Sequence, residues 1–567
     1  MYQIIYRTMP EVWEDALAKY GDMEALVYRS QRFTRREWNR NINKMTNALY
    51  KLGVRKGDKV VYSMPVTPEW TYVWLGVAFM GAVVVPINMT WKALEYRDAL
   101  KRCDVHTFVF MDKFRGVDYI PIVKEAIPGL EGSKPGELHC PELPNLKNVI
   151  CLSRDHNKYD FAYDFYEIHA QGADYVESLI QELRSAVKPD DPANLMLTSG
   201  TTAFPKPAIN THRTWASPAS LTDMPAYFGL NWVAERTPLG QPIRFLLMVP
   251  NWHNSASLLL GLSMATRLCL HLVEFFEPTE VLETIEREKI QHSFGFGLHY
   301  RMVAAHPRLK DYDLSSFNIT ATGHDPGDYD TIKDVIGIEH QLNIYGITEA
   351  GTITVGLLPP ESTKDPYKLK YSYGRVPTWI DVKVKDPETR EELPVGQIGE
   401  ICIKGPYIFS GYYGMEEEYQ KLMDEEGYFH TEDIGHLDDE NFIYWDGRLK
   451  DVVKSGGENV SALEVEKFLE TECPYIRTAV VVGVPDPKWQ EAVTAVVSLK
   501  PEHEQEGKLS SQDIITWCKG RIAGYKAPKN VIILGHKEME QYFLLLGKRN
   551  KSKIKPLALE RLGIEEK

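Results

Sequence analysis

Short runs of β-branched and aromatic residues alternate with helix-length segments through this 567-residue chain as far as about residue 450. Lys59-Val60-Val61-Tyr62-Ser63, Val83-Val84-Val85, Thr107-Phe108-Val109-Phe110 and Phe245-Leu246-Leu247-Met248-Val249 read as strands. Strands spaced by helices predict α/β layers around largely parallel sheets. The nearly uncharged stretch Trp70 to Met89 is long enough to span a bilayer by the usual ~20-residue criterion. It divides better into a buried helix from Pro68 to Met80, a stop at Gly81, and a strand Ala82 to Val85 closed by Pro86. Ser255 to Ala265 reads as a second buried helix, so no transmembrane segment is expected.

The rest of the chain has a different character. Pro128 to Asn145, with four prolines and three glycines, reads as a loop or insertion. Val382 to Lys404 has short strands and turn signals at Asp386-Pro387 and Pro394-Val395-Gly396, which suggests a small β-rich subdomain. Beyond Lys450 an α+β unit is expected, with helices at Ala462 to Thr471 and Ser511 to Arg521, strands at Thr478 to Val482 and Ala492 to Leu499, and a cationic tail. The division is therefore residues 1–449, a large N-terminal region, and residues 450–567, a C-terminal domain. A length of 567 residues implies three or more lobes at roughly 100–200 residues per domain.

A net charge of −14 leaves no global basic footprint for nucleic acid and favours a small-molecule partner. Seven scattered cysteines without any CxxC pair fit a reducing, cytoplasmic setting. Pro10, Glu11 and Glu14 arrive too soon for the apolar core of a signal peptide.

Thr198-Ser199-Gly200-Thr201-Thr202-Ala203-Phe204-Pro205-Lys206 crowds four hydroxyls and a lysine around a glycine turn, directly after the apolar strand end Leu195-Met196-Leu197. Backbone N–H groups in such a connection can point at a phosphate, and Lys206 adds a point charge. It is not a Walker loop, because Lys206 stands between Pro205 and Pro207. The plain alternative is a Ser/Thr-rich turn.

Tyr345-Gly346-Ile347-Thr348-Glu349 follows the apolar-rich Leu342-Asn343-Ile344. Its aromatic can stack on a base and its glutamate can take Mg²⁺, although the same residues also make an ordinary turn. Phe429-His430-Thr431-Glu432-Asp433 offers carboxylates for the hydroxyls of a ribose, or a solvated acidic turn. Gly447-Arg448-Leu449-Lys450-Asp451 leads to Gly456-Gly457; a surface hairpin explains the charges but not the glycine pair, which implies close backbone approach or positive φ. His253 beside Trp252 is a pocket candidate or a packed histidine. Gly323-His324-Asp325 lines a cleft or makes an Asx-type turn. Lys548, among Lys551, Lys553 and Lys555, is a catalytic candidate or part of a solvated basic face.

In this order and spacing the segments resemble the adenylate-forming superfamily, which includes acyl-CoA synthetases, adenylation domains and firefly luciferase. Gly457-Glu458-Asn459-Val460 followed by Ala462-Leu463-Glu464-Val465-Glu466 is most similar to the fatty-acyl and related acyl-CoA synthetases. The resemblance implies ATP, Mg²⁺ and coenzyme A as reactants and cofactors, and a carboxylic acid as substrate. The acid is first adenylated with loss of pyrophosphate, and the CoA thiol then displaces AMP.

Carried over by position, Thr198, Ser199, Gly200, Thr201, Thr202 and Lys206 grip the β- and γ-phosphates. Tyr345 with Gly346 packs on adenine, beside Gly323, His324 and Asp325, while Thr348 contacts the α-phosphate and Glu349 binds the metal. Asp433 holds ribose and Arg448 supports ribose or phosphate. Lys450 is the hinge of a mobile C-terminal domain, Gly456 and Gly457 line the pantetheine tunnel, and Lys548 is the adenylation lysine. Trp252 and His253 fall among the pocket walls. Ala203, Pro207 and Glu432 depart from the glycines common in the family, and the segment before Lys548 lacks the usual Pro-x-Thr, which makes Lys551 its alternative. Other readings are an acyl-AMP ligase that loads a carrier protein, and a nucleotide-binding scaffold without turnover. A homodimer is the prior for oligomeric state.

Overall fold

A computed structural model of the chain describes residues 6–198, 205–220, 229–323, 326–351, 353–354, 365–455, 458–506, 509–519, 521–543 and 549–564. It forms two compact units, Met1–Asp381 with Lys404–Met423, and Val382–Ile403 with Asp424–Lys567. The boundary expected between residues 449 and 450 stays a proposal.

The first unit carries two seven-stranded sheets. One runs in the order His340–Asn343, Ile319–Gly323, His292–Phe296, Ile243–Leu247, Leu268–Leu272, Glu24–Tyr28, Gln31–Thr34, and only its last pairing is antiparallel. The other runs Pro207–Thr211, Pro192–Leu197, Val83–Pro86, Lys59–Ser63, Val105–Met111, Asn148–Leu152, Tyr163–Asp164, and only its first pairing is antiparallel. Helices Arg35–Lys51, Pro68–Phe79 and Asn254–Ala265 lie between the sheets. They share one core with Val60, Val84 and Ile150 from the second sheet and Leu26, Phe245 and Leu270 from the first. Ala93–Arg102 and Ile120–Ala126 cover the outer face of the second sheet, and Pro278–Glu288 and Gly297–Ala304 that of the first. The layered α/β architecture expected from the strand–helix alternation is what forms.

Pro68–Phe79 shows how local sequence and burial agree. Thr67 caps it by accepting the Trp70 N–H at 3.4 Å, and Pro68 opens it with a pre-set φ. Every residue but Glu69 is buried, so no apolar stripe is visible in sequence. Gly81, at φ +76, makes the left-handed turn into Val83–Pro86. Among the described residues no helix is long and apolar enough to cross a membrane. The Pro128 to Asn145 stretch has only the 3₁₀ turn Leu130–Gly132, but Leu130, Leu138, Cys140 and Leu143 are buried and pin it to the second sheet.

In the second unit a four-stranded sheet orders Asp381–Lys385, Gly399–Lys404, Phe429–Leu437 and Ile443–Arg448. A five-stranded sheet follows, with Glu458–Ser461, Val452–Ser455, Gln490–Leu499 and Ile476–Asp486 in that order, and Asn530–Leu534 parallel to Gln490–Leu499. Helices Ala462–Glu472 and Ser511–Cys518 cover one face, and His536–Glu540 and Lys551–Leu562 the other.

One expectation changes here. The His430 to Asp433 segment is not a solvated turn but the middle of the strand Phe429–Leu437, with His430, Thr431 and Asp433 buried. Ser455 pairs with Glu458, so two residues join the strands Val452–Ser455 and Glu458–Ser461. Those two are Gly456 and Gly457. These two glycines themselves lie outside the described residues.

Candidate active site

The candidate residues of the first unit gather where strands end. Thr198 follows Pro192–Leu197, which is antiparallel to Pro207–Thr211 with Leu197 opposite Pro207. The segment is therefore a hairpin connection closed at its base by two hydrogen bonds. The Thr198 N–H donates to the Lys206 carbonyl at 3.0 Å, and the Lys206 N–H donates to Thr198 Oγ1 at 3.2 Å. Ser199, Gly200, Thr201 and Thr202 lie outside the described residues.

Lys206 Nζ stands 5.1 Å from the centroid of the Tyr412 ring. The Tyr412 hydroxyl donates to Glu349 Oε1 at 2.6 Å, and the Phe409 N–H donates to the Glu349 carbonyl at 2.7 Å. One tyrosine thus contacts a cation with its ring and a carboxylate with its hydroxyl, the two coming from distant parts of the sequence. Hydrogen bonds between Ile209 and Gly411, Ser410 and Ile209, and Tyr413 and Pro207, each 2.9 Å, hold the 409–413 segment against the strand that follows Lys206. Tyr412 is a residue that sequence reasoning missed. Its signal was Ser410-Gly411-Tyr412-Tyr413-Gly414, in which both glycines adopt positive φ, +129 and +66.

Tyr345, Gly346, Thr348 and Glu349 leave the parallel strand His340–Asn343, next to the end of Ile319–Gly323. Tyr345 is buried. Its N–H donates to Thr354 Oγ1 at 2.7 Å, and its carbonyl accepts from Ile353 and Thr354 at 2.9 and 3.0 Å, which fixes the turn before the half-buried Thr348 and Glu349. Gly346 is exposed, and Gly323 ends its strand beside Ile344. His324 and Asp325 lie outside the described residues.

His253 follows the strand Ile243–Leu247 and caps the helix Asn254–Ala265, where its Nδ1 accepts from the Ser255 N–H at 3.3 Å. Its ring meets Phe296 edge-on at 5.0 Å, and Phe294 and His299 stand 5.7 Å from Phe296. Burial depresses the His299 pKa to about 4, so His299 is neutral at pH 7. Trp252, half-buried, packs instead toward the core of the second sheet.

The second unit brings together Asp433, Arg448 and Lys450. Strand register sets Asp433 opposite Arg448, and the two form an ion pair, with Arg448 Nε 2.8 Å from the buried Asp433 Oδ1. Glu432, in a left-handed conformation at φ +58, offsets the strand just before Asp433. Its N–H donates to Glu400 Oε1 at 2.9 Å, while Glu400 Oε2 lies 2.7 Å from His430 Nδ1. The Thr431 hydroxyl donates to the Ile401 carbonyl at 2.6 Å and accepts from the Asp433 N–H at 3.1 Å. Lys450 sits in the 3₁₀ turn Leu449–Asp451; desolvation first, then the like charge of Arg448, lowers its pKa.

Lys548 lies outside the described residues. Its alternative, Lys551, is engaged, with Nζ 3.0 Å from the buried Glu466 Oε1 and 3.8 Å from Asp451 Oδ2.

In chemical terms, a hydroxyl and a lysine at the base of one loop, set through a tyrosine against a carboxylate, suit a polyphosphate and a hard divalent cation. The model for AMP-binding enzymes matches residues 13–413, and that for the C-terminal domain of AMP-binding enzymes matches residues 464–540. The "Putative acyl-CoA synthetase YngI" of Bacillus subtilis (strain 168) is 29% identical, covering 100% of this chain and 99% of that protein. The mitochondrial medium-chain acyl-CoA ligase ACSF2 of Danio rerio is 28% identical over 98% of this chain and 89% of its own. The solved structure of the anthranilate CoA ligase AuaEII in complex with anthranoyl-AMP shares the fold, with a TM-score of 0.79 at 20% identity over 99% of both chains.

Proposed function

The chain belongs to the AMP-binding enzyme family, and we propose that within it the protein is an ATP-dependent, AMP-forming acyl-CoA synthetase acting on a carboxylic acid with an apolar body. The observation that carries this reading is the Lys206–Tyr412–Glu349 arrangement at the base of the Thr198 loop. The names of two relatives aligned over nearly the whole chain, both acyl-CoA synthetases or ligases, support it. The medium-chain preference named for the Danio rerio relative accords with the aromatic side chains His253, Phe294 and Phe296, so medium-chain acids are the first substrates to test.

In the first half-reaction a carboxylate oxygen attacks the α-phosphorus of ATP. The P–O bond to pyrophosphate breaks, and pyrophosphate leaves with the electron pair. Lys206 and the hydroxyls of Thr198, Ser199, Thr201 and Thr202, with the Gly200 backbone, hold the β- and γ-phosphates against that developing charge. Thr348 binds the α-phosphate. Tyr345 and Gly346, with Gly323, His324 and Asp325, hold adenine, while Asp433 and Arg448 hold the ribose. Lys548 places its cation on the carboxylate and α-phosphate as charge shifts between them.

Glu349, a hard oxygen donor oriented by the Tyr412 hydroxyl, fits Mg²⁺ and would hold it. When bound, the metal neutralises phosphate charge. In the second half-reaction the CoA sulfur attacks the acyl carbon and AMP departs with the electrons of the C–O bond. Gly456 and Gly457 admit the pantetheine, and Lys450 is the residue about which the C-terminal domain turns. The free thiol and the buried, unpaired state of all seven cysteines accord with a cytoplasmic site of action.

Acid-dependent exchange of pyrophosphate into ATP tests the reading. Exchange with medium-chain acids is expected. Silence with every acid while ATP still binds would reduce the protein to a nucleotide-binding scaffold.

A further inference from the structure

The strand Leu268–Leu272 reads Leu-Cys-Leu-His-Leu. Residues two apart on a strand share a face, so Cys269 and His271 project together, and both are buried. Neither ring nitrogen of His271 has a hydrogen-bond partner; the nearest carboxylate oxygen, Glu288 Oε2, is 3.9 Å from Nδ1. A buried polar side chain left in this state calls for an unseen partner. The neighbouring parallel strand, with Leu26 opposite Leu270, brings Glu24 to the same place. Glu24 Oε1 lies 3.8 Å from Cys269 Sγ, and one donor atom from each of Glu24, Cys269 and His271 lies within 4.8 Å of the others. Arg32 steadies the two carboxylates, 3.1 Å from Glu24 and 2.7 Å from Glu288.

Glu400, Cys402 and His430 in the second unit are as close to one another, and the contrast is instructive. There one ring nitrogen, His430 Nδ1, is already bonded to Glu400 at 2.7 Å, and Nε2 lies 3.6 Å from Asp424 Oδ2, whereas at His271 both nitrogens lack a hydrogen bond.

We propose that Glu24, Cys269 and His271 bind one Zn²⁺ as a structural site distinct from the catalytic Mg²⁺. Sulfur, imidazole nitrogen and carboxylate oxygen together select zinc over the oxygen-seeking Mg²⁺ and Ca²⁺. Binding displaces the Cys269 thiol proton to solvent, and Glu288 is the nearest further carboxylate for a fourth position. The ion would join Glu24–Tyr28 and Leu268–Leu272 to the end of the helix Pro278–Glu288.

The full-length protein, stripped of metal and titrated with Co²⁺ alone, provides the test. One equivalent should give a thiolate-to-cobalt charge-transfer band in the near ultraviolet, displaced by one equivalent of Zn²⁺. Cys269→Ser should abolish the band, and Glu24→Gln, a milder change nearer the surface, should weaken Co²⁺ binding by at least about tenfold. Cys402→Ser should leave both unchanged. Absence of the band in the wild-type protein, or its loss in Cys402→Ser with retention in Cys269→Ser, overturns the site; should Cys269→Ser fail to fold, the wild-type titration and Glu24→Gln decide.

Discussion

Tyr412→Phe isolates the contact on which the catalytic reading depends most. The ring is buried and stays in place, so its packing and its position beneath Lys206 Nζ are retained, while the hydroxyl that donates to Glu349 at 2.6 Å is removed. A hydrogen bond to a charged group is worth about 1.5–3 kcal/mol. If that energy orients Glu349 for Mg²⁺, kcat/KM for ATP should fall roughly tenfold to a hundredfold, since ~1.4 kcal/mol is a factor of ten. The Mg²⁺ concentration for half-maximal rate should rise with it. The assay is acid-dependent pyrophosphate release over an Mg²⁺ titration, repeated in Glu349→Gln and in the double variant. Coupling requires the double variant to lose much less than the product of the single losses. An unchanged Mg²⁺ dependence with intact fold, or fully additive losses, would refute the role given to Tyr412.

Glu432→Gly should stabilise the protein by about 0.5–1 kcal/mol in urea unfolding, because a left-handed non-glycine residue costs ~1–2 kcal/mol and glycine returns part of that as unfolded-state entropy. His299, whose pKa burial lowers to about 4 against 6.5, is neutral in the folded state while the unfolded chain takes up a proton below pH 6.5. Stability should therefore fall as pH drops from 6.5 to about 4, by up to about 3 kcal/mol from this group, and His299→Gln should flatten that segment of the unfolding curve. Lys548→Ala should abolish adenylation yet spare thioester formation from supplied acyl-AMP; normal pyrophosphate exchange in that variant would remove Lys548 from the mechanism.

Where the chain buries its elements on both sides, apolar content alone revealed them: Val83–Pro86, Pro68–Phe79 and Asn254–Ala265 were legible within a residue or two of their ends. Elements whose exposed face is highly charged were harder to see. Lys551–Leu562 buries Ile554, Ala558 and Leu559 at helical spacing, but three lysines and the internal Pro556 made it read as a cationic tail. Phe429–Leu437 was obscured by His430, Glu432 and Asp433, whose polarity suggested a turn, although inside the sheet His430 is bonded to Glu400 and Asp433 is ion-paired with Arg448. The candidate site was legible as separate segments. That Lys206 and Glu349 share a neighbour was not, because that neighbour is Tyr412, more than sixty residues beyond Glu349 and more than two hundred beyond Lys206. Pairing at that separation is set by sheet topology, which local patterns do not encode.

The central claim is most directly tested by following AMP, pyrophosphate and thioester together from ATP and a panel of medium-chain and aromatic acids, with and without free coenzyme A. The account predicts equal amounts of AMP, pyrophosphate and acyl-CoA for at least one acid, with AMP release strongly dependent on CoA. Pyrophosphate release without any CoA-dependent thioester, or ADP and phosphate as products, would contradict it.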